Sequence, residues 1–221
     1  MNDTRVCPYC AEEVRAAAIK CKHCGSNIGT LPVHTAASGQ ADFGELFTTS
    51  MNVWKANLAD LVILTLVFML VVWIPIANIG FIAGYTRSLM KLARGRGKPQ
   101  VGDLFNAWDC FPNLLLYFIL NLTAMVILHF VPIVGSLAAM AFGFMITPGL
   151  YAIIDNKCTA MDSYKWSVES IQADFVNWLL AYLVGNVIAC AGLLVLFVGV
   201  IVTAPFGALI TIHQYERVKP A

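Results

Sequence analysis

Residues 110–154 read CFPNLLLYFILNLTAMVILHFVPIVGSLAAMAFGFMITPGLYAII, without one Asp, Glu, Lys or Arg. A transmembrane helix needs about 20 consecutive apolar residues, and this stretch is more than twice as long. It therefore holds two spans, with Val131-Pro132 near its centre as the turn. Downstream, Phe175–Tyr215 is a second charge-free run of similar length, again room for two helices. Upstream, Leu61–Thr86 is a third and shorter one. It is either one long helix kinked at Pro75 or a hairpin that turns there.

Composition agrees. Of 221 residues, 59% are hydrophobic and 12% charged, and the mean hydropathy is +0.73. Soluble domains average about 25% charged residues. The excess apolar surface has to face lipid. The net charge of +1 gives no global pull toward nucleic acid, and no nucleic-acid partner is expected.

An internal repeat decides the ambiguous stretch. FGELF at 43–47 matches VGDLF at 101–105, and Trp73-Ile74-Pro75-Ile76 matches Phe130-Val131-Pro132-Ile133 at nearly the same offset. A third unit begins at Ser163–Gln172 and turns near Val198-Gly199-Val200. The expected fold is an all-α integral membrane domain over residues 43–221, with six transmembrane helices as three hairpin repeats (43–100, 101–158 and 159–217). Each repeat starts with a short amphipathic segment (Phe43–Trp54, Val101–Cys110 and Met161–Gln172) expected to lie on the inner leaflet. Trp54, Trp108, Trp166 and Trp178 form its aromatic belt.

Orientation follows from charge. In a six-helix reading the turns near 75, 132 and 199 share one side and carry no charge. Every charged residue after Asp60 falls on the other side. Arg87, Lys91, Arg94, Arg96 and Lys98 precede any acid in their segment, and positive residues mark the cytoplasmic face. Both termini are thus expected in the cytoplasm. These five cations are expected to contact anionic lipid headgroups, at about 1 kcal/mol each. The alternatives are a purely topological role and pairing with Asp103 and Asp109.

The N-terminus is of another kind. Cys7-Pro8-Tyr9-Cys10 and Cys21-Lys22-His23-Cys24 place two C-x2-C knuckles close together in the chain. Two such knuckles offer four thiolates to one tetrahedral ion, which suits zinc; iron in a rubredoxin-like site and a redox dithiol pair are the alternatives. Residues 1–26 are too few to fold by apolar burial, whereas zinc supplies roughly 10–16 kcal/mol of apparent binding free energy. His23, between two ligands, is expected to face solvent. Residues 27–42, rich in Gly, Ser, Thr, Ala and Pro, read as a flexible linker. Residues 1–30 lack the apolar core of a signal peptide, so the N-terminus is expected to stay inside.

The segment CPYCAEEVRAAAIKCKHCGS resembles the zinc ribbons found at the ends of many bacterial proteins. That resemblance is confined to this segment and implies Zn2+ held by Cys7, Cys10, Cys21 and Cys24, with no activity attached. The Gly/Pro turns and repeated lead-in segments resemble, over nearly the whole membrane domain, a broad group of bacterial six-helix membrane proteins. This resemblance places the chain in a bacterial inner membrane and implies a fold more than a function.

No Asp, Glu, Lys or Arg lies at mid-membrane, which counts against a proton-coupled carrier. Asn186 is the most central polar residue and is expected to make an interhelical hydrogen bond; His213 is expected at the cytoplasmic interface. The small-residue pairs Ala139/Gly143 and Gly185/Ala189 serve packing within or between monomers. No acid pair, nucleophile–base motif or HExxH is present, so no enzyme is expected. The leading functional reading is a non-enzymatic membrane scaffold or adaptor. Its zinc ribbon would dock a protein partner, and its helices would anchor the chain and could self-associate. The competing reading is a transporter or channel for a small or lipidic solute.

Overall fold

Apolar runs of this length form helices because a helix satisfies every backbone N–H and C=O within the segment. The computed structural model describes residues 4–7, 10, 12–15, 18, 21–24, 42–130, 134–194 and 198–219. The linker expected before Asp42 and the turn expected at Val131-Pro132 lie outside the described residues. Among the described residues, two short strands precede eight α-helices. Strands β1 (Thr4–Val6) and β2 (Glu13–Arg15) pair antiparallel, with Arg5 opposite Val14. The helices are α1 (Phe43–Ala56), α2 (Leu58–Val71), α3 (Ala77–Ala93), α4 (Phe111–His129), α5 (Val134–Asn156), α6 (Ala160–Ala173), α7 (Phe175–Ala191) and α8 (Val198–Val218). Two 3₁₀ turns, Val101–Phe105 and Trp108–Cys110, lead into α4.

Local chemistry sets the breaks. Asn57 ends α1: its side-chain amide donates to the Val53 carbonyl at 2.9 Å, and the chain bends by 84° into α2. After α2, Pro75 is followed by Ile76 at φ 65°, a left-handed conformation that is costly for a β-branched residue. Pro112 sits in the first turn of α4, where its missing N–H would have no helical partner. Thr159 caps α6 by accepting from the Asp162 N–H at 3.2 Å.

Val101–Leu128, Ala138–Asn156 and Phe175–Leu194 are long and apolar enough to cross a membrane, and α1 with α2 makes a fourth if counted as one broken span. Helix α3, 17 residues with Arg87 and Lys91 in its second half, falls short of that measure. Among the described residues, length and apolarity alone thus give three or four spans, against the six read from the sequence. The outward faces are those of a membrane protein. Leu122 on α4, Val187 on α7 and Trp73 in the turn after α2 are 66%, 68% and 84% exposed, with none of the described residues covering them.

Side-chain direction corrects several expectations. Trp166 and Trp178 are buried, and the Trp178 indole donates to Ser170 at 3.0 Å, so neither belongs to an interfacial belt; Trp108 is partly exposed. Position in the chain sets their depth along the helix but not their azimuth. Asn186 makes no interhelical bond among the described residues: it is exposed and donates to the Tyr182 carbonyl of its own helix at 2.7 Å. Gly185 packs α7 on α8 inside the monomer, where an added Cβ would lie 2.8 Å from the Gly207 carbonyl oxygen. Helix α1 does not only lie across the ends of its neighbours. Ser50 touches His213 and Trp54 donates to the Val202 carbonyl at 3.0 Å, so α1 packs against α8.

Candidate metal centre and interfacial charge cluster

The β1–β2 hairpin brings the two knuckles together. Cys7 follows β1 directly, and its N–H donates to the Glu12 carbonyl at 2.9 Å beside β2. The Cys7 and Cys24 sulfurs are 3.8 Å apart, those of Cys10 and Cys21 are 3.6 Å apart, and all four lie within 4.8 Å of one another. A tetrahedral ion with metal–sulfur bonds of about 2.3 Å sets neighbouring sulfurs about 3.8 Å apart. A disulfide would need about 2 Å. The four thiols therefore fit one tetrahedral ion such as zinc.

Their electrostatics point the same way. The Glu12 backbone contact lowers the Cys10 thiol, but burial and the sulfurs of Cys24, Cys21 and Cys7 push it up to about 12. Cys21 moves down: the Cys24 backbone contact pulls it against burial, and the His23 N–H, 3.4 Å from its sulfur, adds to the pull. Four sulfurs this close cannot all ionise without a cation, and a divalent ion removes that repulsion. All four positions are filled by protein, which leaves no place for a reacting water.

A serine–histidine contact lies between α1 and α8. His213 Nδ1 is 2.9 Å from Ser50 Oγ and 2.8 Å from the Leu209 carbonyl. A carbonyl only accepts, so Nδ1 carries the hydrogen. Ser50 Oγ gives its own hydrogen to the Leu46 carbonyl at 2.8 Å. The imidazole cannot take the serine proton through Nδ1, and Ser50 is completely buried. The pair is thus a polar tie between two helices. His213, expected near the cytoplasmic interface, is buried against α1.

The basic segment after α3 is largely paired. Arg87 donates to Asp109 at 2.7 Å and to the Ile154 carbonyl at 2.9 Å. Lys91 reaches Asp103 at 2.8 Å. Arg94 sits at the centre: it bonds both oxygens of Asp155, at 2.8 and 2.5 Å, and takes Glu216 with Nε and Nη2 at 2.9 and 2.7 Å. Burial alone would lower the Arg94 pKa, but the two carboxylates outweigh it and hold the guanidinium firmly charged. Lys98, largely exposed, is 3.5 Å from Asp60. Arg96 is exposed and has no ion pair among the described residues. The five cations expected at lipid headgroups are therefore placed mostly on carboxylates. Pairing with Asp103 and Asp109 is one of the alternatives the sequence offers, whereas the roles of Asp155, Glu216 and Lys157 are not among them. Spacing could have found the first two, because Arg94, Asp155 and Glu216 stand at the C-terminal ends of α3, α5 and α8 and are evenly separated in the chain.

The chain matches no protein-family model, no curated protein and no solved structure.

Proposed function

We propose that the chain is a non-enzymatic membrane scaffold or adaptor. Its four-cysteine segment would bind zinc and dock a protein partner from the cytoplasm, and its helices would form three membrane hairpins, α2–α3, α4–α5 and α7–α8. The observation that carries this reading is the closed thiol set: a site with four protein ligands stabilises a small module and performs no chemistry. The even spacing of Arg94, Asp155 and Glu216 supports three repeats whose returning helices meet at one charged knot. The related starts of α4 and α7, Phe111-Pro112-Asn113 and Phe175-Val176-Asn177, support it too. Six spans put this knot, the basic segment and both termini on the cytoplasmic side of a bacterial inner membrane. In that setting the basic segment faces anionic headgroups. The experiment is a pulldown from native membranes with the full chain and with a chain lacking residues 1–30. A partner that is lost with residues 1–30 supports docking through the ribbon. An identical set of partners for both chains overturns it.

A further inference from the structure

A polar cleft of about 460 Å³ opens where the end of α3, the 3₁₀ turns and the α5–α6 connection meet. Its walls include Arg87, Lys91, Arg94, Arg96 and Lys157 against Asp103, Asp109 and Asp155. The pairing shows where positive charge is left over. Lys91 is matched by Asp103. Arg94 shares Asp155 and Glu216, and Glu216 is in turn held by Lys219 at 2.5 Å. Asp109 has to serve two cations, Arg87 and Lys157, both at 2.7 Å. One charge is therefore uncompensated there and another at Arg96, a surplus of two.

The Arg96 loop is built to stay over the cleft. The Arg96 N–H donates to the Lys91 carbonyl at 3.0 Å. Gly95 at φ 63° and Gly97 at φ 139° take conformations that other residues rarely adopt, and these fold the loop back on the end of α3. The level of the cleft is marked by neighbouring aromatics. Phe105 and Trp108, 47% and 43% exposed, flank Asn106 and Asp109 on the 3₁₀ turns, at the start of the apolar α4. Exposed aromatic rings beside an apolar helix sit at headgroup depth.

We infer that this cleft binds a phosphomonoester group, with Arg96 and Lys157 as its principal cations. A phosphomonoester carries about −1.5 to −2 charge at neutral pH and several strong acceptor oxygens. It therefore matches a surplus of two, which a singly charged phosphodiester headgroup does not. Arginine and lysine donors on separate elements suit a group that accepts from several directions. The inference rests on the cytoplasmic, membrane-embedded reading above only for the source of the ligand. The same chemistry could come from a phosphatidic acid headgroup or from a soluble phosphomonoester.

The test uses the full chain purified in a neutral detergent and titrated calorimetrically. The probes are short-chain phosphatidic acid, short-chain phosphatidylglycerol and glycerol 3-phosphate. The variants are Arg96→Gln and Lys98→Gln. Lys98 belongs to the same basic loop but does not line the cleft, so it reports diffuse attraction. Both side chains are exposed, so neither change threatens the fold. Phosphatidic acid should bind about tenfold or more tightly than phosphatidylglycerol. Arg96→Gln should weaken phosphatidic acid binding about tenfold, the worth of one charged hydrogen bond, while Lys98→Gln changes it less than twofold. Glycerol 3-phosphate binding as tightly as the lipid identifies a soluble ligand; much weaker binding identifies a headgroup. Equal losses in the two variants, or no preference for the monoester, overturn the site and leave only attraction to an anionic leaflet. Absence of binding by all three probes overturns the site.

Discussion

Arg94→Met is the most informative single change. Arg94 makes four charged hydrogen bonds to Asp155 and Glu216 and thereby holds the ends of α3, α5 and α8 together. The side chains are only 15%, 18% and 15% exposed. Methionine keeps much of the volume and removes the charge, leaving two carboxylates facing each other. Taken one by one, four charged bonds of about 1.5–3 kcal/mol would total far too much, because bonds within one network are not additive. Losing one partner of a buried ion pair costs about 3–5 kcal/mol. Lys219 still neutralises part of Glu216, and water reaches the rim, so about 2–4 kcal/mol is expected. The assay is reversible unfolding in mixed micelles of mild and denaturing detergent, followed by tryptophan fluorescence. In an Asp155→Asn/Glu216→Gln background the same Arg94→Met change should cost less by about 1 kcal/mol or more, since neutral side chains no longer repel. A loss below about 0.5 kcal/mol in the wild-type background, or equal losses in both, would refute the idea of a central charged knot.

Three further outcomes are expected. Elemental analysis of the purified chain should find one zinc per molecule, and Cys7→Ser/Cys21→Ser should lose it, since two thiolates cannot complete the tetrahedron; full metal content in the double variant would exclude these ligands. Reporter fusions at residues 1 and 221 should both read cytoplasm, and opposite readings would replace the first hairpin with a single span. Gly84→Ala should destabilise by about 1–3 kcal/mol in the same unfolding assay, because its Cβ would lie 2.6 Å from the Asp103 carbonyl oxygen and backbone cannot step aside; a neutral result would show that the 3₁₀ turns rest only loosely on α3.

Much of the plan is legible in one dimension. The three charge-free runs, the two C-x2-C knuckles and the break near Pro75 follow from the chain alone. Lipid, zinc and proline act on residue type and spacing within a few neighbours. The candidate metal ligands were legible for the same reason, because four cysteines in two knuckles need only a hairpin to bring them together. The basic segment and two of its partners, Asp103 and Asp109, are legible as charge near it in the chain; Asp155, Glu216 and Lys157 come from distant segments.

What only tertiary structure decided is direction around each helix and contact between distant segments. Trp166 and Trp178 lie at positions along the chain that suit an interface, yet both point inward. Asn186 sits centrally in its run, yet turns outward and bonds its own helix. His213 and Ser50 are far apart in the chain and meet only because α1 lies along α8. Arg94 reads as a free cation until the ends of α5 and α8 bring Asp155 and Glu216 beside it. The physical reason is common to all of these. Composition and period set how deep a residue sits and whether its segment is a helix. Its azimuth and partners depend on how close-packed helices settle against one another, and here glycines such as Gly84 and Gly185 let backbones approach until side chains far apart in sequence meet.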